Sequence, residues 1–173
     1  MSLAREQLAA VAEVLAVSHR AGTEVWLRGG WAMDFYLGEI SREHVDVDFF
    51  AWRRDLPELV ERLVASGWSE VGVHPQDQQR DLLRDSVELG FAPLERDDEG
   101  RVVVGGGPWR GSQWPAAMLS GAVVGHIGAL RCPVISPRAQ VEIKQMMPMW
   151  VPGMPPRSKD AEDIRRIEQK LGG

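Results

Sequence analysis

Leu27–Phe50 reads LRGGWAMDFYLGEISREHVDVDFF, and two features of this stretch decide the fold. Gly29 and Gly30 stand between a short apolar run, EVWLR, and a helix-like run, WAMDFYLG. Glycines at a strand-to-helix turn let backbone N–H groups approach an anion closely, and the helix N-terminus adds a favourable dipole. Asp46 and Asp48 then alternate with Val45 and Val47 in HVDVDFFAW, which reads as a strand. Aspartate is a poor strand former, and a buried carboxylate must be neutralised, paired or given to a metal. Residues i and i+2 of a strand share a face, so the two acids present oxygen ligands side by side. Magnesium takes such ligands, usually one or two carboxylates completed by phosphate and water. An edge strand with both acids in water satisfies the same local pattern. Glycine pair, helix and D-x-D strand within one short span argue for phosphate and metal together.

Outward from this segment, Ala4–His19 has apolar residues at helical spacing, and DLPELVERLVASGW predicts a second amphipathic helix with Asp55 as N-cap and Gly67 as stop. SEVGVH, SVELGFAPL, RVVVGG and AVVGHIGALRC read as short strands, with ERDDEGR as a hairpin connection. SPRAQVEIKQMM predicts a serine-capped helix, PMWVPGMPPRS a proline-punctuated loop and KDAEDIRRIEQKLGG a final helix. The expected fold class is α/β (α+β), a mixed sheet flanked by helices. The expected organisation is a core over residues 1–131 and a helical C-terminal segment over 132–173 packed on it as one compact domain.

The 173 residues, 44% hydrophobic and 26% charged, suffice for one ordinary globular core. No apolar run approaches the roughly 20 residues that span a bilayer. The N-terminal run is broken by Arg5, Glu6 and Glu13, unlike a secretion signal. A single cysteine, Cys132, excludes an internal disulfide and suits a reducing, cytoplasmic setting, with Cys132 itself in the core. The net charge of −5 argues against extensive nucleic-acid binding, although the last third is rich in lysine and arginine. His74 and His126 lack partners at recognisable ligand spacing and are expected at the surface. Trp109 and Trp114 are expected to pack in a core or hairpin.

GGWAMDFYLGEISREHVDVDFF resembles the glycine pair and R-x-H-x-D-x-D block of the DNA polymerase β-like nucleotidyltransferases, and within them the aminoglycoside 2″-adenylyltransferase and lincosamide nucleotidyltransferase group. By position, the resemblance implies that Gly29 and Gly30 face a triphosphate, Asp46 and Asp48 ligate metal, and Arg42 and His44 flank the nucleotide. SPRAQVEIKQ resembles the group's C-terminal lysine helix, which makes Lys144 a candidate triphosphate ligand, and PPRSKDAEDI resembles its K-D-x-x-D segment. Two departures stand out. Val45 occupies a position where the group often has an acid. The third carboxylate, expected on a neighbouring strand as metal ligand or general base, falls in register on Gly90; Glu88 lies two residues earlier on the same face and is the candidate replacement. Asp81, Asp85 and Glu95 are weaker substitutes.

The resulting expectation is a metal-dependent nucleotidyltransferase. It would move a nucleoside monophosphate, AMP by resemblance, from Mg-NTP to a hydroxyl of an aminoglycoside- or lincosamide-like small molecule, with one or two Mg²⁺ ions and with Asp46, Asp48 and Glu88 catalytic. The alternatives are a nucleotide-binding or regulatory protein with weakened catalysis on the same fold, and a toxin-like transferase acting on RNA or protein. No membrane partner is expected, and the acceptor site is expected to be shallow or completed by a second copy in a homodimer.

Overall fold

The structure is a computed structural model in which residues 2–150 and 158–173 are described. α1 (Leu3–Ala21) is capped by Ser2, whose hydroxyl accepts from the Arg5 amide, and ends at Gly22 in a left-handed conformation. β1 (Val25–Arg28) leads straight into α2 (Gly29–Leu37), and β2 (Val47–Trp52) follows. β2 begins three residues later than HVDVDFFAW suggests, so Asp46 immediately precedes the strand. A single 3₁₀ turn, Arg53–Asp55, precedes α3 (Leu56–Ala65). Asp55 holds the N-cap position without a side-chain capping bond.

Four strands come next: β3 (Ser69–Val71), β4 (Arg80–Arg84), β5 (Val87–Arg96) and β6 (Val102–Val104). β4, RDLLR, was not expected as a strand, because its charged ends mask a short apolar centre that only sheet pairing can use. AVVGHIGALRC is a hairpin rather than one strand: β7 (Val123–Ile127) and β8 (Leu130–Val134) join through Gly128 and Ala129, with Gly128 at φ 58°. β8 runs through the 131/132 position, so the sheet extends into the C-terminal segment. α4 (Pro137–Trp150) takes in Pro148–Trp150, three residues expected to lie in a loop, while 151–157 fall outside the described residues. α5 (Ser158–Gly172) closes the chain.

The strands form one mixed sheet in the order β3-β4-β5-β2-β1-β8-β7, with β6 paired to the far half of β5. β2 with β5 and β1 with β8 are parallel, and the remaining pairs are antiparallel. Both faces of the central strands are buried, and alternation sorts their side chains. Val47, Phe49 and Ala51 join Leu89 and Phe91 under α1 and α3, whereas Phe50, Trp52, Ala92 and Leu94 meet Met118, Ile135 and Ile143 on the other face. A smaller cluster, Met33, Val141 and Ile167, ties α2 to α4 and α5. Cys132 is fully buried as expected, and burial pushes its thiol up to about 12. No helix among the described residues is long and apolar enough to cross a membrane.

Candidate active site

Register alignment carries one row of residues across five strands on a single face: Val71, Asp81, Gly90, Asp48 and Arg28. Asp48, between Gly90 and Arg28 in this row, is half-buried, and Asp46 stands exposed just before the strand. Both carboxyl groups line one open cavity. Burial, then the charge of Asp46, pushes the Asp48 carboxyl up from 3.8 to about 7, against the opposing pull of the Arg28 guanidinium. Arg28 stacks over Phe50, 4.2 Å from the ring centroid, with Trp114 at 5.5 Å. Burial lowers its pKa, while Asp48 and Asp46 oppose that shift. This donor set fits a divalent cation: two adjacent oxygen ligands carry more negative charge than the single arginine relieves. Among the described residues no three His, Cys, Asp or Glu side chains are placed so as to hold a metal ion together, so a magnesium ion here would draw the rest of its shell from phosphate and water.

Gly29 and Gly30 open α2 at the end of β1, beside these acids, and Arg28 gives the helix no side-chain cap. Gly29 has φ 71°, a backbone region that L side chains avoid. Gly30 is required for space: a Cβ there would lie 2.3 Å from His44 Nδ1 and 3.1 Å from Arg42 Nη2. The glycine pair thus has two separate causes.

His44 and Arg42 belong to a buried network reaching the last helix. Arg42 Nη1 donates to His44 Nδ1 at 3.2 Å, which puts the ring proton on Nε2, donated to Asp34 Oδ2 at 2.6 Å. Asp34 also accepts from the Ser41 amide and hydroxyl, and Gln7 of α1 donates to the His44 carbonyl. Arg42 reaches Asp163 of α5 at 2.8 Å, and Lys144 of α4 reaches the same carboxylate at 3.2 Å. Burial alone would raise the pKa of Asp163, but the Arg42 hydrogen bond and Lys144 charge outweigh it and the net direction is down. The Asp163 hydrogen bond correspondingly raises Arg42. Arg42 and His44 therefore stand against the glycine turn, and Lys144, distant in sequence, joins them through a shared carboxylate. Asp163, the second acid of the K-D-x-x-D segment, is what joins them.

Gly30→Val is expected to weaken Mg-NTP binding by about tenfold or more, since a tenfold loss needs only about 1.4 kcal/mol and the valine displaces a buried, hydrogen-bonded ring. Titration calorimetry measures it, on protein whose circular dichroism matches wild type. Unchanged affinity in the folded variant would sink the phosphate-turn assignment.

Glu88 sits on β5 two residues before Gly90 and lines an open cavity of about 260 Å³ together with Asp46, Asp48, His74, Gln79 and Asp81. Its side chain is exposed. Gly90 has its own reason to be glycine: a Cβ there would lie 2.5 Å from Asp48 Oδ1 and 2.6 Å from Gln79 Nε2. Asp81, considered a weak substitute for want of anything aiming it, is aimed by register at the same face as Asp48. His74, expected as a partnerless surface histidine, pairs with Asp81 at 3.0 Å. Only knowledge of the β3–β4 hairpin could have found this pair. Trp114, partly buried, packs edge-on against Phe50 at the border of the core, and Trp109 is exposed.

A family model described as aminoglycoside-2″-adenylyltransferase matches residues 10–167. A 2″-aminoglycoside nucleotidyltransferase of Escherichia coli is 29% identical over 123 residues, covering 64% of this chain and 70% of that protein. The fold is similar to that of ANT(2″)-Ia in complex with adenylyl-2″-tobramycin, with a TM-score of 0.76 and 22% identity over 96% of this chain and 90% of that one. It is also similar to the lincosamide antibiotic adenylyltransferase LnuA, lincomycin-bound, with a TM-score of 0.69 and 21% identity over 90% and 92% of the two chains.

Proposed function

The chain belongs to the aminoglycoside-2″-adenylyltransferase family and is a nucleotidyltransferase; from that premise we propose that it transfers AMP from Mg-ATP to a hydroxyl group of an aminoglycoside- or lincosamide-like compound and releases pyrophosphate. The observation that carries this reading is the adjacency of the Asp46–Asp48 pair to the Gly29–Gly30 turn. Magnesium held by Asp46 and Asp48 would neutralise phosphate charge and polarise the α-phosphorus. The turn offers backbone N–H groups to the triphosphate, and Arg42 and Lys144, held by Asp163, supply positive charge beside it. Positioning and electrostatics then suffice, so no serine or cysteine nucleophile is needed.

Glu88, an exposed carboxylate lining the same cavity, is proposed to contact the acceptor rather than to replace the acid absent at Gly90. Antibiotics of the aminoglycoside kind carry ammonium groups, and an exposed carboxylate contributes modestly to holding one. Glu88→Gln is expected to raise the KM for a cationic acceptor about 2–5-fold, the size of an exposed ion pair, at unchanged ATP affinity. Steady-state kinetics with acceptor and ATP varied separately measures both. An unaltered acceptor KM would remove Glu88 from the site.

The test of the function as a whole is incubation with Mg²⁺, each α-labelled NTP and a panel containing tobramycin and lincomycin, followed by mass spectrometry of the acceptor. An adduct of one nucleoside monophosphate with equimolar pyrophosphate is the expected product. ATP affinity without any adduct across the panel would favour the nucleotide-binding alternative.

A further inference from the structure

Building on the nucleotidyl-transfer reading, we propose that His74 Nε2 takes the proton of the acceptor hydroxyl, with Asp81 as its positioning residue. A histidine–aspartate pair on the β3–β4 hairpin would thereby do the work for which β5 has no carboxylate at Gly90.

The pair is built rather than incidental. Asp81 is only 7% exposed. Its Oδ2 accepts from both the backbone N–H and Nδ1 of His74 at 3.0 Å, and its Oδ1 accepts from Gln79 Nε2 at 2.7 Å. An ionised carboxylate only accepts, so Nδ1 carries the ring proton and Nε2 keeps a lone pair. The imidazole is anchored at two points, main chain and ring, to one carboxylate. Its side chain is 47% exposed and lines the same cavity as Asp46 and Asp48. Gln79 closes the arrangement, since its amide faces Asp48 across the space that Gly90 leaves open. Any side chain at position 90 would intrude between the metal-side acid and the hairpin. Among the described residues nothing fixes the Glu88 side chain in a comparable way.

The step balances without further reactants. The acceptor oxygen forms a bond to the α-phosphorus, the bridging bond from that phosphorus to the β-phosphate oxygen breaks, and its electron pair leaves with pyrophosphate. The hydroxyl proton passes to His74 Nε2, the imidazolium is stabilised by Asp81, and the half-exposed ring returns the proton to water.

Two measurements test the proposal. In transfer from Mg-ATP to tobramycin or lincomycin, whichever wild type modifies, His74→Ala is expected to lower kcat by about 10²–10⁴-fold, the usual contribution of a general base, at unchanged ATP affinity. Added imidazole should restore part of that rate, which a merely structural role would not permit. Equal kcat in His74→Ala and wild type, with Asp46→Asn inactive in parallel, would overturn the proposal while leaving the transferase reading intact. Independently of turnover, ¹⁵N imidazole spectra of the wild-type protein should report His74 protonated on Nδ1, and Asp81→Asn should remove that preference. A wild-type ring protonated on Nε2 alone would overturn the proposal, whatever the acceptor.

Discussion

Asp46→Asn and Asp48→Asn are each expected to lower nucleotidyl transfer by about 10³-fold or more, because a metal that polarises a phosphoryl group contributes several kcal/mol and each 1.36 kcal/mol is a factor of ten. The readout is labelled product at saturating acceptor. Retention of more than a tenth of the wild-type rate by both variants would end the metal assignment. Stability should move the other way for Asp48. Its carboxyl holds a proton up to about 7 in the folded chain, against an ordinary value of 3.8. Between those values the folded state binds more protons than the unfolded one, so stability is highest at the acid end of the window and falls as pH rises through it. At pH 7.5 without metal, Asp48→Asn is expected to melt higher than wild type, by roughly 2–4 °C if the relief is on the order of 1 kcal/mol. That advantage should vanish near pH 4. Magnesium should raise the melting temperature of wild type and leave that of the variant unmoved.

Asp34→Ala is the second large effect expected, and it falls on folding. Asp34 is completely buried, and its carboxylate accepts from His44 Nε2, the Ser41 amide and the Ser41 hydroxyl. Removing it leaves those donors inside the protein with no acceptor and frees the ring that holds Arg42. Stranding three hydrogen-bond donors around a buried carboxylate site costs on the order of 3 kcal/mol, which for a chain of this size means a fall of roughly 6–12 °C in melting temperature. Thermal denaturation followed by circular dichroism checks it. A loss under 2 °C would mean that His44 finds another acceptor and that the network is not held through Asp34.

The parts of the site that were legible in sequence are those whose geometry is local. Gly29–Gly30 and Asp46–Asp48 are each defined by a spacing of one or two residues, which keeps the glycines in one turn and both acids at one end of β2, although Asp46 falls just outside the strand. The central strands were legible for the same reason, since Phe49 and Phe50 alternate between two buried faces. What escaped depends on pairing between distant segments. β4 has a two-leucine centre too short to announce itself, and without β4 nothing aims Asp81 at Asp48 or gives His74 a partner. Gly90 looks like a lost acid in a linear reading; in the sheet it is the space into which Asp48 and Gln79 project. Lys144 could be named from its helix, yet its neighbour Asp163 acquires a role only once α5 lies against α4 and α2.

The tie between Arg42 and Asp163 spans 121 residues, which carries a consequence for how the enzyme comes into being on the ribosome. At ordinary elongation rates of about 5–20 residues per second, roughly 6–24 s separate the synthesis of the two partners. During that interval the residues of the glycine turn, Asp46 and Asp48 are already made, but Arg42 has no Asp163 to hold it and Lys144 is largely still to come. The cluster of Arg42, Lys144 and Asp163 therefore stays open until Asp163 has been made.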